Sequence, residues 1–309
     1  MRKIEAADRL SYRRMTTDEL RDRFVIDDLF QPGKQNLVYT DVDRGVVGGF
    51  VPTTKSLELK GGKEMACTFF CERREAGVIN LGGVGVITCD GKKYEMQTRE
   101  CLYIGRGTKK VVFSSRNAKT PAAFYLVSYP AHAEYPTTKM AIGNANNVDL
   151  GQASSSNVRT IHQFIRPGFT KSCQLVMGFT ELKDGSVWNS FPPHTHDRRT
   201  EIYCYFDLPK DGLVFHFLGE PDETRHVTLR EKSVVLSRTG RSTADAVRGP
   251  TPSSGRWAAK TRNSTTWTTA TCRSSGKLQY GTRRPRWRGN VNEGNFTFCG
   301  RARVLTQSR

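Results

Sequence analysis

The sequence lacks the signals of membrane insertion and secretion. No stretch approaches 18 consecutive apolar residues, the length at which a membrane-spanning helix is expected. No apolar run follows the basic residues Arg2 and Lys3, so the N-terminus does not have the pattern of a secretory signal. These absences predict a soluble cytoplasmic protein.

Paired cysteine motifs are also absent. None of the eight cysteines forms a Cys-x-x-Cys pair, and several fall within apolar, strand-like segments. We therefore predict buried free thiols in a reducing compartment, rather than disulfides or a cysteine metal site. The cysteines are Cys67, Cys71, Cys89, Cys101, Cys173, Cys204, Cys272 and Cys299.

Acidic residues are scarce after Ser237. That segment has 15 lysines and arginines against only Asp245 and Glu293, so it carries most of the formal net charge of +18. A basic segment can bind nucleic acid through phosphate contacts, and residues 283–288 mix arginines with a tryptophan. Because residues 1–236 are only weakly basic, we interpret 237–309 as a basic appendage and expect no nucleic-acid partner.

Short β-type segments separated by turn residues occupy most of residues 36–236. They form two blocks, 36–130 and 159–236, on either side of a polar linker at 131–158, which predicts a mainly β fold with two similar barrels. A capping box predicts a helix after Thr16, within an N-terminal arm at 1–35. The predicted strands cover 37–39, 46–51, 67–70, 76–81, 85–89, 93–96, 102–107, 111–115, 160–165, 174–182, 201–206, 213–218, 225–229 and 233–236. An Asp-Gly pair between 85–89 and 93–96 predicts a tight hairpin.

The β pattern is lost at Ser237. Arg, Thr, Ser, Gly and Ala dominate residues 237–309, with no apolar alternation. We expect this segment to be irregular or disordered, and the second barrel to stop at Leu236 without its closing strands.

One segment has metal-ligand spacing. His194 and His196 are two residues apart, so on an extended chain their side chains lie on the same face, and Glu201 opens the next predicted strand. Two imidazoles and a carboxylate suit a borderline divalent metal such as zinc or iron. The alternative is a pair of exposed loop histidines beside a solvated charge cluster.

For His216 and His226, which lie in predicted strands, we expect structural roles. For Tyr203 and Tyr205 we expect core packing.

Several long segments of the chain resemble the 4-deoxy-L-threo-5-hexosulose-uronate ketol-isomerase family of the cupin superfamily, also called 5-keto-4-deoxyuronate isomerases. The resemblance covers about residues 20–236. The segments that carry it are 44–49, 72–83, 102–107, 130–132, 159–161, 173–175, 194–199 and 220–226.

The resemblance implies a bicupin fold, a hexameric homo-oligomer and a role in pectin and uronate degradation. The implied reaction interconverts 5-dehydro-4-deoxy-D-glucuronate and 3-deoxy-D-glycero-2,5-hexodiulosonate. It also implies one zinc ion per subunit on His194, His196 and Glu201. The 36–130 barrel has no His-x-His motif and is expected to be metal-free. A fourth histidine of the family is absent here, since Thr243 stands in its place.

The catalytic base is not identifiable from the sequence. Because the substrate is a carboxylate, we consider Arg198, Arg199 and Arg225 as its ligands, although each is also a candidate for an ordinary ion pair. Two alternatives stay open: a metal-dependent oxygenase, and an inactive copy of the isomerase.

A change of reading frame near Ser237 would explain why β pattern, composition and resemblance change together. On this hypothesis, only a frame-restored chain would be well folded, zinc-loaded and active. Resequencing the gene and measuring the intact mass test it.

Overall fold

A computed structural model describes residues 1–5, 7–8, 10–189, 194–195, 200–237, 242–248 and 256–262. For 194–195, 242–248 and 256–262 it gives the backbone alone. The structure is mainly β, as predicted. No helix in the described residues is long and apolar enough to cross a membrane.

The strands are named in chain order. The first twelve are β1 (Arg2–Ile4), β2 (Val25–Ile26), β3 (Gln35–Thr40), β4 (Val46–Phe50), β5 (Leu57–Glu58), β6 (Arg74–Asn80), β7 (Gly85–Cys89), β8 (Lys92–Met96), β9 (Cys101–Ile104), β10 (Val111–Ser115), β11 (Phe124–Pro130) and β12 (Thr138–Met140). The others are β13 (Asn146–Leu150), β14 (Arg159–Ile165), β15 (Leu175–Leu182), β16 (His194–Thr195), β17 (Glu201–Phe206), β18 (Leu213–Glu220), β19 (Glu223–Leu229), β20 (Val234–Ser237), β21 (Ser242–Arg248) and β22 (Arg256–Arg262). Short 3-10 helices lie at Ser11–Arg14, Val42–Arg44, Lys63–Met65, Phe70–Glu72, Ile142–Asn144 and Ala153–Ser155.

The same strand order occurs twice. In the first half the sheet β1-β3-β4-β11-β6-β9-β12 faces the sheet β5-β10-β7-β8. In the second half β13-β14-β15-β22-β17-β20-β2 faces β16-β21-β18-β19. Each strand from β3 to β11 therefore has a counterpart eleven strands later, and the chain is a duplicated two-sheet unit. We call these units the first and second barrel.

Each barrel has an apolar interior, and a third cluster lies between the barrels. One face of β6, including Ala76 and Val78, packs inside the first barrel. The opposite face of the same sheet carries Ile79 and joins a larger cluster with Met177 and Phe179 of the second barrel. The two seven-stranded sheets are thus buried on both faces, which explains their nearly continuous apolar sequences.

Gly77 lets the two large sheets approach closely. A Cβ at this position would lie 2.6 Å from the Met177 Sδ and 2.9 Å from the Leu175 Cδ2. Any side chain larger than hydrogen would therefore push β6 and β15 apart.

A helix and two short strands connect the N-terminal arm to both barrels. The helix α1 (Thr17–Phe24) starts with the predicted capping box, in which the Thr16 hydroxyl accepts the Glu19 N–H. The strand β1 pairs with β3 of the first barrel, whereas β2 pairs with β20 of the second. The arm therefore links the two halves of the molecule.

The structure differs from the sequence prediction beyond Ser237, where two strands are present. The strand β22 lies between β15 and β17, and β21 lies between β16 and β18. Their places match those of β11 and β10 in the first barrel, so the second barrel is not truncated at Leu236. The composition of β21 and β22 is only weakly typical of strands, so the sequence does not predict them. They form because the neighbouring strands supply hydrogen-bonding partners. The remainder of the predicted irregular segment lies outside the described residues.

Two other segments differ from prediction. The 131–158 segment is not simply a linker, since it contains β12 and β13. Both are edge strands with exposed positions, so apolar alternation is weak. Residues 67–70, predicted as a strand, instead approach a 3-10 helix at Phe70–Glu72. There the Glu72 carboxylate accepts the Thr68 N–H at 2.6 Å and holds the chain in a local turn.

The six described cysteines are free thiols, as predicted. Burial raises the pKa of the Cys89 thiol to about 12 and shifts the pKa values of Cys71, Cys101 and Cys204 upward as well. Cys272 and Cys299 lie outside the described residues.

Candidate metal centre

Glu201 stands at the start of β17, as predicted, and is 4% exposed. The preceding residue, Thr200, is also buried, and its hydroxyl donates to the Asp43 carboxylate in the 3-10 helix Val42–Arg44 of the first barrel. This contact fixes the point at which the chain enters β17. The first barrel therefore helps to position Glu201, although no metal ligand is predicted in that barrel.

Tyr203 and Tyr205 follow Glu201 at every second position of β17, so they share its face of the sheet. The Tyr203 hydroxyl donates to Glu201 Oε2 at 2.8 Å. The two phenol rings stack at 6.3 Å with an interplanar angle of 13°. Core packing was expected for both tyrosines, and they are buried, but each also uses its hydroxyl.

His216 contacts these tyrosines from β18, in the opposite sheet. Its Nδ1 lies 2.6 Å from the Tyr205 hydroxyl, and its ring is 5.3 Å from that of Tyr203. The imidazole is fully buried, which lowers its pKa to about 3, while the charge of Glu201 acts in the opposite direction. His216 is therefore neutral near pH 7. Sequence reasoning gave it a structural role, because a buried histidine in a strand has no distinguishing motif.

The backbone register locates His194 relative to Thr243. His194 in β16 pairs with Thr243 in β21, and Thr243 in turn pairs with Leu218 in β18. His216 lies two residues from Leu218 on the same strand. The position expected for a fourth histidine is thus on the strand between those of His194 and His216.

Part of the predicted site lies outside the described residues. This applies to His196, Arg198 and Arg199, whereas for His194 and Thr243 only the backbone is described. The proposed zinc ligands therefore stay a prediction. Among the side chains that the structure describes, no three His, Cys, Asp or Glu groups form a metal cluster.

Arg225, the third arginine considered for the substrate carboxylate, is engaged elsewhere. Its guanidinium donates to the backbone carbonyls of Tyr12, Arg13 and Met15, at 3.2, 3.0 and 2.7 Å. These bonds hold the N-terminal arm on β19. We therefore assign Arg225 to the attachment of the arm and do not place it in the site.

A cavity of about 290 Å³ lies away from these residues. Tyr135, Lys171, Cys173 and Gln174 are among its lining residues, and none of the predicted site residues contributes to it.

Comparison with known proteins identifies the family. A profile of the KduI/IolB family matches residues 27–250, which include the His194 to Glu201 segment and extend past Ser237. The chain belongs to the KduI/IolB family.

The relatives carry the name predicted from the sequence. The chain is 50% identical over 222 residues to a 4-deoxy-L-threo-5-hexosulose-uronate ketol-isomerase of Lachnoclostridium phytofermentans, covering 72% of this chain and 80% of the relative. A protein of the same name from Escherichia coli is 45% identical over 225 residues, covering 72% of this chain and 81% of the relative. The predictions of family and of an isomerase-type enzyme are confirmed.

The fold is also found in solved structures. An IolB-like protein from Salmonella typhimurium superposes with a TM-score of 0.57 at 12% identity, over 72% of this chain and 84% of the other. At this identity the similarity concerns the fold alone.

Proposed function

We propose that this chain interconverts 5-dehydro-4-deoxy-D-glucuronate and 3-deoxy-D-glycero-2,5-hexodiulosonate in the degradation of pectin and related uronates. The observation that carries this proposal is the 50% identity to a protein named for this ketol-isomerase activity. The match of the family profile supports it, because it includes the whole His-x-His and Glu segment.

The same proposal includes one zinc ion per subunit, held by His194, His196 and Glu201. The described residues fit such an ion. Glu201 supplies a buried, oriented carboxylate, and a neutral imidazole lies in the same interior. Carboxylate and imidazole are ligands that zinc uses in catalytic sites. When bound, the ion would act as a Lewis acid that polarises a carbonyl group through its oxygen.

The chemistry is a proton shift between neighbouring carbons. A proton leaves the hydroxyl-bearing carbon and is returned to the adjacent carbon. Through the enediol, the hydroxyl proton is likewise transferred to the adjacent oxygen, so the hydroxyl becomes a carbonyl and the neighbouring carbonyl becomes a hydroxyl. The buried phenols of Tyr203 and Tyr205 exclude water from the interior of the second barrel. Electrostatic interactions in that interior are therefore stronger than in water. Through its bond to Glu201, Tyr203 fixes the direction of the carboxylate.

For the substrate carboxylate, Arg198 and Arg199 remain the proposed cationic partners, since a guanidinium can bind a carboxylate through two parallel hydrogen bonds.

A homo-hexamer and a cytoplasmic location belong to the same proposal. Light scattering on the purified chain tests the hexamer.

The direct test is an isomerase assay on the zinc-loaded full-length chain. We expect turnover that is lost with EDTA, restored by zinc, and reduced at least 100-fold in Glu201→Gln. The matched control is Glu58→Gln, at a half-exposed glutamate of the first barrel, which should keep full activity. Absence of turnover in the metal-loaded chain would contradict the proposal. Oxygen uptake without isomerisation would favour an oxygenase.

A further inference from the structure

His216 has one ring nitrogen without a hydrogen-bond partner among the described residues. The side chain is 0% exposed, and its Nε2 is a buried polar atom that makes no such bond. A buried polar atom without a partner keeps its full desolvation penalty, so buried polar groups are nearly always hydrogen-bonded. We therefore expect Nε2 of His216 to bind a partner inside the second barrel.

The other ring nitrogen shows what kind of partner fits. Nδ1 lies 2.6 Å from the Tyr205 hydroxyl. If Nδ1 carries the proton and donates it to Tyr205, then Nε2 presents a lone pair on the far side of the ring. Histidines that bind metal are commonly held in this way, with the second nitrogen donating to an oxygen. Burial keeps the imidazole neutral, as a metal ligand must be.

The position of His216 points to one particular ion. Tyr203 contacts both His216, through its ring, and Glu201, through its hydroxyl. The strand of His216 is also separated from that of His194 only by β21, which carries Thr243. A donor on β18 can therefore approach an ion bound between His194 and Glu201, on the same side as the absent fourth histidine.

We propose that His216 is a nitrogen ligand of the metal centre in this chain, binding through Nε2 and supplying the imidazole that Thr243 lacks. The inference rests on the proposed zinc site at His194, His196 and Glu201. It adds a ligand that those three residues do not include, and it makes Tyr205 the residue that orients this ligand.

The test is zinc affinity in the full-length chain, measured by competition with a chromophoric chelator after metal removal. We expect one zinc ion per wild-type chain and at least a 100-fold loss of affinity in His216→Phe. Tyr205→Phe should lose about 10-fold, because it removes only the orienting bond. The matched control is His226→Phe on the neighbouring strand, where the histidine is exposed, and its affinity should not change.

The variants also separate this inference from the proposed function. If His196→Ala loses zinc but His216→Phe binds it as tightly as wild type, then His216 is not a ligand and the proposed zinc site stands. If the wild-type chain binds no zinc, the proposed site fails together with this inference.

A second measurement needs no substitution in the core. X-ray absorption at the zinc edge of the wild-type chain reports the number of imidazole ligands. Three imidazoles are expected, whereas two would overturn the inference even if His216→Phe failed to fold.

Discussion

The Tyr203 hydroxyl lies 2.8 Å from Glu201 Oε2, on the same strand and two residues away. Neighbours at this spacing share one face of a strand, and β17 is held in a regular extended conformation by its pairing with β20 and β22. The carboxylate is thereby directed before any ligand binds.

Tyr203→Phe should therefore impair the site and spare the fold. The ring keeps its packing, but Glu201 loses a donor that orients it. We expect zinc affinity to fall about 10-fold, and kcat/KM to fall by about 10- to 100-fold. Tyr94→Phe in the first barrel is the matched control. Unchanged zinc affinity and turnover in Tyr203→Phe would show that the bond has no role in the site.

Glu75→Gln should destabilise the contact between the barrels. This fully buried carboxylate of β6 accepts the backbone N–H groups of Cys173, Gln174 and Leu175, at 2.6–2.7 Å, and the Tyr103 hydroxyl. An amide has one acceptor oxygen, so at least one buried N–H would lose its partner. We expect the free energy of unfolding to fall by about 2–4 kcal/mol in urea titrations.

The half-exposed Glu58 provides the control for that measurement. Glu58→Gln should change the free energy of unfolding by less than about 0.5 kcal/mol. Equal effects at the two positions would mean that the Glu75 hydrogen bonds do not hold the barrels together.

The metal-free chain should lose stability as the pH falls below about 6.5, partly because of His216. Burial places its folded-state pKa at about 3, below the unfolded value of about 6.5, so only the unfolded chain takes up this proton over that interval. The contribution of neutral His216 to the free energy of unfolding is therefore fully present above pH 6.5. It decreases toward pH 3, by up to about 1.4 kcal/mol per pH unit. Urea titrations in EDTA at pH 7.5, 6 and 5 measure it. His216→Gln should show a shallower dependence, and identical slopes would contradict the assignment.

Two truncations test whether the strands beyond Ser237 complete the second barrel. Removing residues 238–309 deletes β21 and β22 and leaves β15, β17 and β18 without partners along one edge. We expect aggregation or loss of cooperative unfolding. Removing only 263–309 keeps every described strand, and we expect cooperative thermal unfolding to be retained. The same behaviour in both truncations would show that β21 and β22 do not contribute.

Arg225→Ala should weaken the attachment of the arm and leave substrate binding intact. Three hydrogen bonds to the arm carbonyls are lost, which should lower the Tm by several degrees. The KM of the folded variant should stay within about twofold of wild type, whereas Arg198→Ala and Arg199→Ala should raise it. A large rise of KM in Arg225→Ala would return this residue to the list of substrate ligands.

Local sequence signals predicted much of the fold. The Asp90-Gly91 hairpin forms between β7 and β8, and both residues have positive φ, as a tight hairpin turn of this kind requires. The capping box after Thr16 and the start of a strand at Glu201 are also as predicted. Each of these depends on residues that are close in sequence, so the signal is contained in a short window.

Long-range partners explain what the sequence did not reveal. The two-residue strand β2 and the strand β22 exist because a distant strand pairs with them, and neither has a residue pattern that demands it. The link between His216 and Tyr205 likewise joins two facing sheets. For the proposed site, the motif predicts His194, His196 and Glu201, while the residues that position Glu201, such as Thr200 and Tyr203, became apparent only in the structure.

The division of the arm between the barrels affects the order in which the chain can fold. The partner of Val25–Ile26 is Val234–Ser237, which a ribosome makes more than two hundred residues later. At typical elongation rates of about 5–20 residues per second, this delay is roughly 10–40 s. During that time Leu20, Phe24 and Val25, which are buried in the finished molecule, have no completed second barrel to cover them. The first barrel, with β1 paired to β3, can fold during synthesis, whereas α1 and β2 dock only after β20 has been made.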